Sequence, residues 1–322
     1  TVGTRSNRDL TEIIQTVNIL TQEFLEDINA ITLQDSIQYV ANTNIRNRDN
    51  GLSPGALYLM RGFENNSAFV DGVEVGTYRR DMVGYDRVEI IKGVPSAALG
   101  GGGNSGVMNF ILKKPVYGKT GGSYRAVVGS FAHYRAELDY NFEINEAVAA
   151  RVVAAYFKDG EFLKDLTGSG SRIYPSLRWA ISDKAELLFN GEYLFSDLPI
   201  GSFGQGFTLM PAKFRKLFPA LDSEADAITA LDLDWGMHVS PGGSRGHKDD
   251  TLVSKVQFNY NISDELFFRQ VLQHRKTDHR RTVFWGGGNT PDTNPADPDN
   301  LHGIYKSLGY RWFESEDDVI SL

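Results

Sequence analysis

Cysteine is missing from this chain of 322 residues, which excludes thiol catalysis, disulfide bridges and thiolate metal sites. Basic residues are outnumbered, 33 against 41 acidic, and the net charge of −8 argues against a nucleic-acid binder that relies on a basic surface. The histidines stand apart at 133, 238, 247, 274, 279 and 302 without H-E-x-x-H or comparable spacing, and read as loop or wall residues rather than metal ligands. No run approaches the ~18 apolar residues of a spanning helix. With a mean hydropathy of −0.30, this excludes a helical membrane protein and nothing more. A transmembrane β-barrel alternates lipid-facing and lumen-facing residues along strands of about 10 residues, so hydropathy does not register it. The chain opens at Thr1 with neither an initiator Met nor a charged-then-apolar signal region, and is read as processed or trimmed.

Glycine, in contrast, is concentrated. The stretch "GGGGNSG" (100–106) holds G-x-G-x-x-G as Gly101, Gly103 and Gly106. A dinucleotide loop must follow a strand and open a helix. "RVEII" (87–91) reads as the strand, but "VMNFILKKP" (107–115) is apolar, partly β-branched and reaches Pro115 too soon for a three-turn helix. A nucleotide enzyme is therefore disfavoured, and the glycines need another explanation.

The chain divides into two regions of different period. Residues 1–116 read as a mixed α/β unit. Thr32 caps a short helix whose Leu33, Ile37 and Val40 share one face, and "FVDGVEV" (69–75) is a hairpin with an Asp-Gly turn of type I′. From 117 onward the period is two. In "YRAELDYNFE" (134–143), Tyr134, Ala136, Leu138, Tyr140 and Phe142 alternate with Arg135, Glu137, Asp139, Asn141 and Glu143. Further strands are expected near 123–130, 148–157, 173–181, 184–195, 251–262, 265–275 and from about 313. Tight polar connections at 145–147, 182–184 and 263–265 alternate with long ones at 159–172, 196–250 and about 276–312. Outer-membrane barrels segregate short turns and long loops in this way, whereas a soluble sandwich has no reason to. Tyr156, Phe157, Trp179, Phe195 and Tyr260, near strand ends, suit interfacial girdles, although aromatics favour strands in any case.

The first region then resembles a known family. Residues 57–115 carry, in order, "RGF", "VDG", "RVEIIKG" and "GVMNFILKKP", the blocks of the plug domain of TonB-dependent outer-membrane receptors. "TVGTRSNRDLTEIIQTVNILT" (1–21) looks like the segment that follows the TonB-binding box, and the alternating strands fit the start of the barrel. The family's usual L-Y-G-x-G is replaced by "ALGGGG", with Leu99 at the Tyr position. The fold class expected is an α+β plug (1–116) followed by part of an antiparallel transmembrane β-barrel (117–322). Its glycine-rich stretch would turn between two strands where no Cβ fits. About eight strands are available, whereas plugged transporters have about 22, so the chain is read as the N-terminal half or less of a receptor.

The resemblance implies a receptor of the Gram-negative outer membrane, embedded in its lipid, that takes up a ferric siderophore with energy delivered by TonB. It implies no enzyme activity, no cofactor beyond the iron inside the siderophore, and no nucleic-acid partner. Cobalamin, haem or a saccharide are alternative cargoes, and a secreted soluble β-rich adhesin is the alternative outside the family. Asn65 and Asn66, Tyr78, Arg79 and Arg80 are the candidate ligand contacts: Tyr78 can stack, and the arginines attract an anionic chelate. Arg61 and Lys92 match plug positions that pair with barrel-wall acids in the family.

Overall fold

The computed structural model describes residues 16–46, 57–65, 68–75, 80–93, 105–160, 167–198, 247–263, 266–286 and 308–321. The N-terminal unit contains β1 (Thr16–Thr21), α1 (Gln22–Asp27), α2 (Leu33–Ile37), β2 (Thr43–Arg46), β3 (Leu57–Met60), β4 (Phe63–Asn65), β5 (Ala68–Val70), β6 (Val73–Val75), β7 (Tyr85–Lys92) and β8 (Gly106–Leu112). One sheet runs in the order β1-β7-β8-β5-β6, and a second joins β2, β3 and β4.

Local chemistry explains several of these elements. Thr32 and Asp35 form a reciprocal capping box that starts α2, and Leu33, Ile37 and Val40 are all buried, with Val40 in the turn beyond the helix. Asp71 (φ 48°) and Gly72 (φ 82°) turn β5 into β6, and Arg61 (φ 54°) and Gly62 (φ 85°) do the same between β3 and β4. Every residue of β8 is buried, as befits the middle strand of a covered sheet. Gly106 opens that strand, so the described residues after the glycine-rich stretch form a strand where a dinucleotide loop would open a helix. Gly106 has φ +139°, and a Cβ there would stand 2.3 Å from both the Ile91 carbonyl oxygen and Met60 Sδ. Gly101 and Gly103 lie outside the described residues.

The second region forms one sheet of eight strands in sequence order, each antiparallel to the next. They are β9 (Gly121–Gly129), β10 (His133–Asn145), β11 (Val148–Gly160), β12 (Thr167–Ala180), β13 (Ala185–Leu198), β14 (His247–Asn261), β15 (Phe267–Gly286) and β16 (Leu308–Ser321). Each expected strand is present, and most are longer than the alternation alone suggests.

The burial of this sheet is inverted relative to a soluble protein. On β10, Tyr134, Leu138 and Phe142 are exposed while Arg135 and Asn141 are buried. The same holds on β14, where Leu252 and Val256 face outward and Thr251, Lys255 and Gln257 face inward. Among the described residues no helix is long and apolar enough to cross a membrane. The outward apolar band belongs to the strands. From Tyr134 to Ile144 at about 3.3 Å per residue, with a tilt of about 40°, it stands roughly 25 Å tall, the height of an outer-membrane barrel's apolar belt. Tyr156, Trp179 and Tyr260 are exposed on this face. Phe157 is not: it points inward at 8% exposure, where the Arg172 guanidinium lies over its ring. Period two puts Phe157 opposite to Tyr156, so the two cannot share a girdle.

Candidate functional site

The inward face of the wall meets the N-terminal unit along a seam that is partly apolar and largely ionic. Wall residues Val153, Tyr174 and Leu194 belong to the same hydrophobic core as Ile37, Tyr58, Met82 and Phe110 of the N-terminal unit. The Tyr174 ring packs on Tyr85 at 6.0 Å.

Around that contact, carboxylates of the N-terminal unit engage cations of the wall. Asp81 caps the 3-10 turn Met82–Gly84 by accepting from the Val83 N–H at 3.1 Å, which fixes its carboxylate before any wall contact. Arg135 on β10 then donates to it twice, at 2.9 and 2.7 Å, and Arg172 on β12 approaches to 3.9 Å. Arg135 also donates to Glu137 at 2.5 Å, so this buried guanidinium is held on two sides. Asp71, in the β5–β6 turn, pairs with Lys255 on β14 and stands 3.8 Å from Lys114. Burial raises the Asp71 carboxyl, but the Lys255 and Lys114 charges and hydrogen bonds from Lys255 and the Leu112 N–H outweigh it and hold the group below its ordinary value.

The segment between β8 and β9 is stitched to the wall in turn. Lys113 pairs with Asp139 at 2.9 Å, Arg151 donates to the same carboxylate and to the Lys114 carbonyl, and Asn141 accepts from the Val116 N–H. Inside the N-terminal unit, the sequence blocks find each other. Glu89 and Asn109 are cross-strand partners, Asn109 donates to Glu89 at 3.1 Å, and the Gly72 N–H donates to Asn109 at 2.9 Å. The "VDG", "RVE" and "GVMNF" motifs are thus joined by one chain of buried hydrogen bonds.

The residues singled out from the sequence fall in different places. Arg61 is exposed in the β3–β4 turn, and Lys92 donates to the Ala41 carbonyl at 2.7 Å, within the N-terminal unit. Burial lowers the Lys92 ammonium from its ordinary value. Among the described residues neither is paired with a wall carboxylate. Among the described residues, Asp71 and Asp81 of the N-terminal unit meet Lys255, Arg135 and Arg172 of the wall, the opposite polarity, while Lys113 meets Asp139. Arg80 is half-buried, its guanidinium 5.0 Å from the centroid of the Phe110 ring. Asn65 ends β4. Asn66, Tyr78 and Arg79 lie outside the described residues.

The seam residues Asp71, Asp81, Arg135 and Lys255 were not singled out from the sequence as a lock. The available signal was the polar face of 134–143, which holds Arg135; its partner stands 54 positions away, and that of Lys255 is 184 away.

Residues 9–107 match the family model described as TonB-dependent Receptor Plug Domain. The chain is 27% identical over 239 residues to the ferripyoverdine receptor of Pseudomonas aeruginosa, an alignment spanning 70% of this chain and 28% of that receptor. Among solved structures it superposes on the ferric-catecholate import receptor Fiu of E. coli K12 in its open form, with TM-score 0.68, 20% identity, and coverage of 98% of this chain and 46% of Fiu. The FpvAI–pyocin S2 complex gives TM-score 0.70 at 20% identity, covering 89% of this chain and 37% of that one. The chain therefore spans less than half the length of these relatives.

Proposed function

We propose that this chain, whose residues 9–107 match the TonB-dependent receptor plug domain, supplies the plug and the first wall strands of an outer-membrane receptor for a ferric siderophore, with TonB displacing the plug on demand. Eight strands closed on themselves would fill their own interior, so enclosing this plug takes the larger barrel of plugged transporters. In this scheme no bond is made or broken, and the chain is a receptor rather than an enzyme. Support for a siderophore comes from relatives named for ferripyoverdine and ferric catecholate. Asn65, Asn66, Tyr78, Arg79 and Arg80 remain the proposed ligand contacts, with Arg61 and Lys92 proposed to meet wall acids.

The observation that carries the reading is the chemistry of the seam. A buried ion pair adds little net stability compared with apolar packing of the same volume, yet it is costly to break one-sidedly. Such pairs hold a plug in register while leaving it removable, which a wholly apolar interface would not. The test is uptake of radiolabelled iron, supplied as ferric pyoverdine or as a ferric catecholate, by cells expressing the complete receptor with and without TonB. TonB-dependent uptake supports the proposal. Uptake of only cobalamin, haem or a saccharide would change the cargo, and iron uptake indifferent to TonB would refute the gating.

A further inference from the structure

Beside the Asp71–Lys255 pair lie two buried acceptor atoms that this arrangement leaves open, Asn190 Oδ1 and Glu192 Oε2, although Tyr85 of the N-terminal unit also reaches the Glu192 carboxyl. Lys255 projects inward from β14, and in the register of β13 its direct partner is Asn190, while Glu192 follows two residues along on the same inward face. Asn190 and Glu192 are 3% and 2% exposed. Among the described residues, Asn190 Oδ1 and Glu192 Oε2 accept no hydrogen bond. Lys255 and Arg80 are close enough to act electrostatically on the Glu192 carboxylate.

Buried acceptors without donors oppose folding, and here the register sets two of them beside one lysine. Directly opposed Cβ atoms in a sheet are about 5 Å apart and diagonal ones about 7–8 Å, distances that the four-carbon lysine stem spans. We infer that Asn190 and Glu192 form a second berth for the Lys255 ammonium, occupied when Asp71 leaves the wall. The wall cation exchanges a carboxylate of the plug for one of its own neighbouring strand. Displacement of the plug then does not leave the Lys255 ammonium unpaired, and the return of Asp71 restores the first pair.

This rests on the receptor reading only in taking the plug as the part that moves, and the experiments separate the two. In the complete receptor, Asp71→Asn removes the first partner's charge. Its crystal structure should show Lys255 Nζ within about 3.2 Å of Glu192 Oε2 or Asn190 Oδ1. Lys255 still seated on residue 71, with Asn190 and Glu192 unchanged, would overturn the inference whatever the protein transports. The double substitution Glu192→Gln, Asn190→Val keeps Asp71 and Lys255. It should slow TonB-dependent uptake about tenfold at saturating ferric pyoverdine or ferric catecholate, with binding measured in parallel, because the displaced state has lost its berth. Wild-type uptake rates in that variant would also overturn it. Absence of TonB-dependent uptake in the wild type would instead count against the receptor reading alone.

Discussion

Substituting Asp81 by Asn probes the seam at a deeply buried ion pair. Asparagine keeps the shape and still accepts from the Val83 N–H, so the cap survives and the lost quantity is the charge facing Arg135. The side chains of Arg135 and Asp81 are only 1% and 5% exposed. Removing one partner of a buried pair costs about 3–5 kcal/mol. Glu137 continues to accept from Arg135, which places the cost at the lower end, about 3 kcal/mol. Amide hydrogen exchange in the complete receptor is the suitable assay, because the tryptophans of this chain, at 179, 235, 285 and 312, all lie outside residues 1–116 and give the plug no fluorescent reporter of its own. The amides to follow are Met82, which donates to Ile31, and Lys113, which donates to Gly84. A loss of about 3 kcal/mol in the opening equilibrium accelerates their exchange roughly 100-fold, while amides paired between β12 and β13 keep their rates. Acceleration below about threefold at Met82 and Lys113, or equal acceleration in the wall, would refute the view that this pair holds the plug in place.

Four further outcomes follow from particular contacts. The Asp71 carboxyl lies below its ordinary value in the fold, so its stabilisation is whole above the unfolded pKa of about 3.9 and is lost only as pH falls through the lower folded value; an acid titration of plug exchange should show this acid limb in the wild type and a flatter one in Asp71→Asn. Gly106→Ala should destabilise the plug by roughly 1–3 kcal/mol, since it combines a left-handed φ with a Cβ set against the Ile91 carbonyl, and receptor abundance in outer membranes should fall. At Gly84 a Cβ would stand 2.5 Å from the Tyr174 ring with no positive φ involved, so Gly84→Ala should also lower abundance, and Tyr174→Leu in the same chain should restore part of it. Replacing Arg79 and Arg80 together by Ala should weaken capture of a ferric siderophore and flatten its salt dependence, because fields at a barrel mouth are screened over about 8 Å at physiological salt; unchanged affinity and salt response would remove both from the proposed contacts.

Features set by neighbours in the chain were legible in the sequence for that reason. The Thr32 cap, the Asp71–Gly72 turn and the alternation of 134–143 each depend on residues within a few positions, and the structure contains all three. Alternation establishes that two faces differ. It does not say which one meets water, and Tyr134 beside Arg135 fits a soluble sheet equally well until the N-terminal unit is seen packed against the charged face. Phe157 shows the same limit, since nearness to a strand end says nothing about facing. The partners across the seam lay further out of reach. Arg61 and Lys92 stand in recognisable motifs, and among the described residues Arg61 is exposed in the β3–β4 turn while Lys92 meets the Ala41 carbonyl. The acids that do meet the wall, Asp71 and Asp81, are held by a turn and a cap that any soluble domain uses, and their partners come from distant strands. A charge in a sequence has only a sign. Its partner is decided when strand pairing brings Arg135 and Lys255 to the face that the plug covers, where burial favours a carboxylate beside each cation.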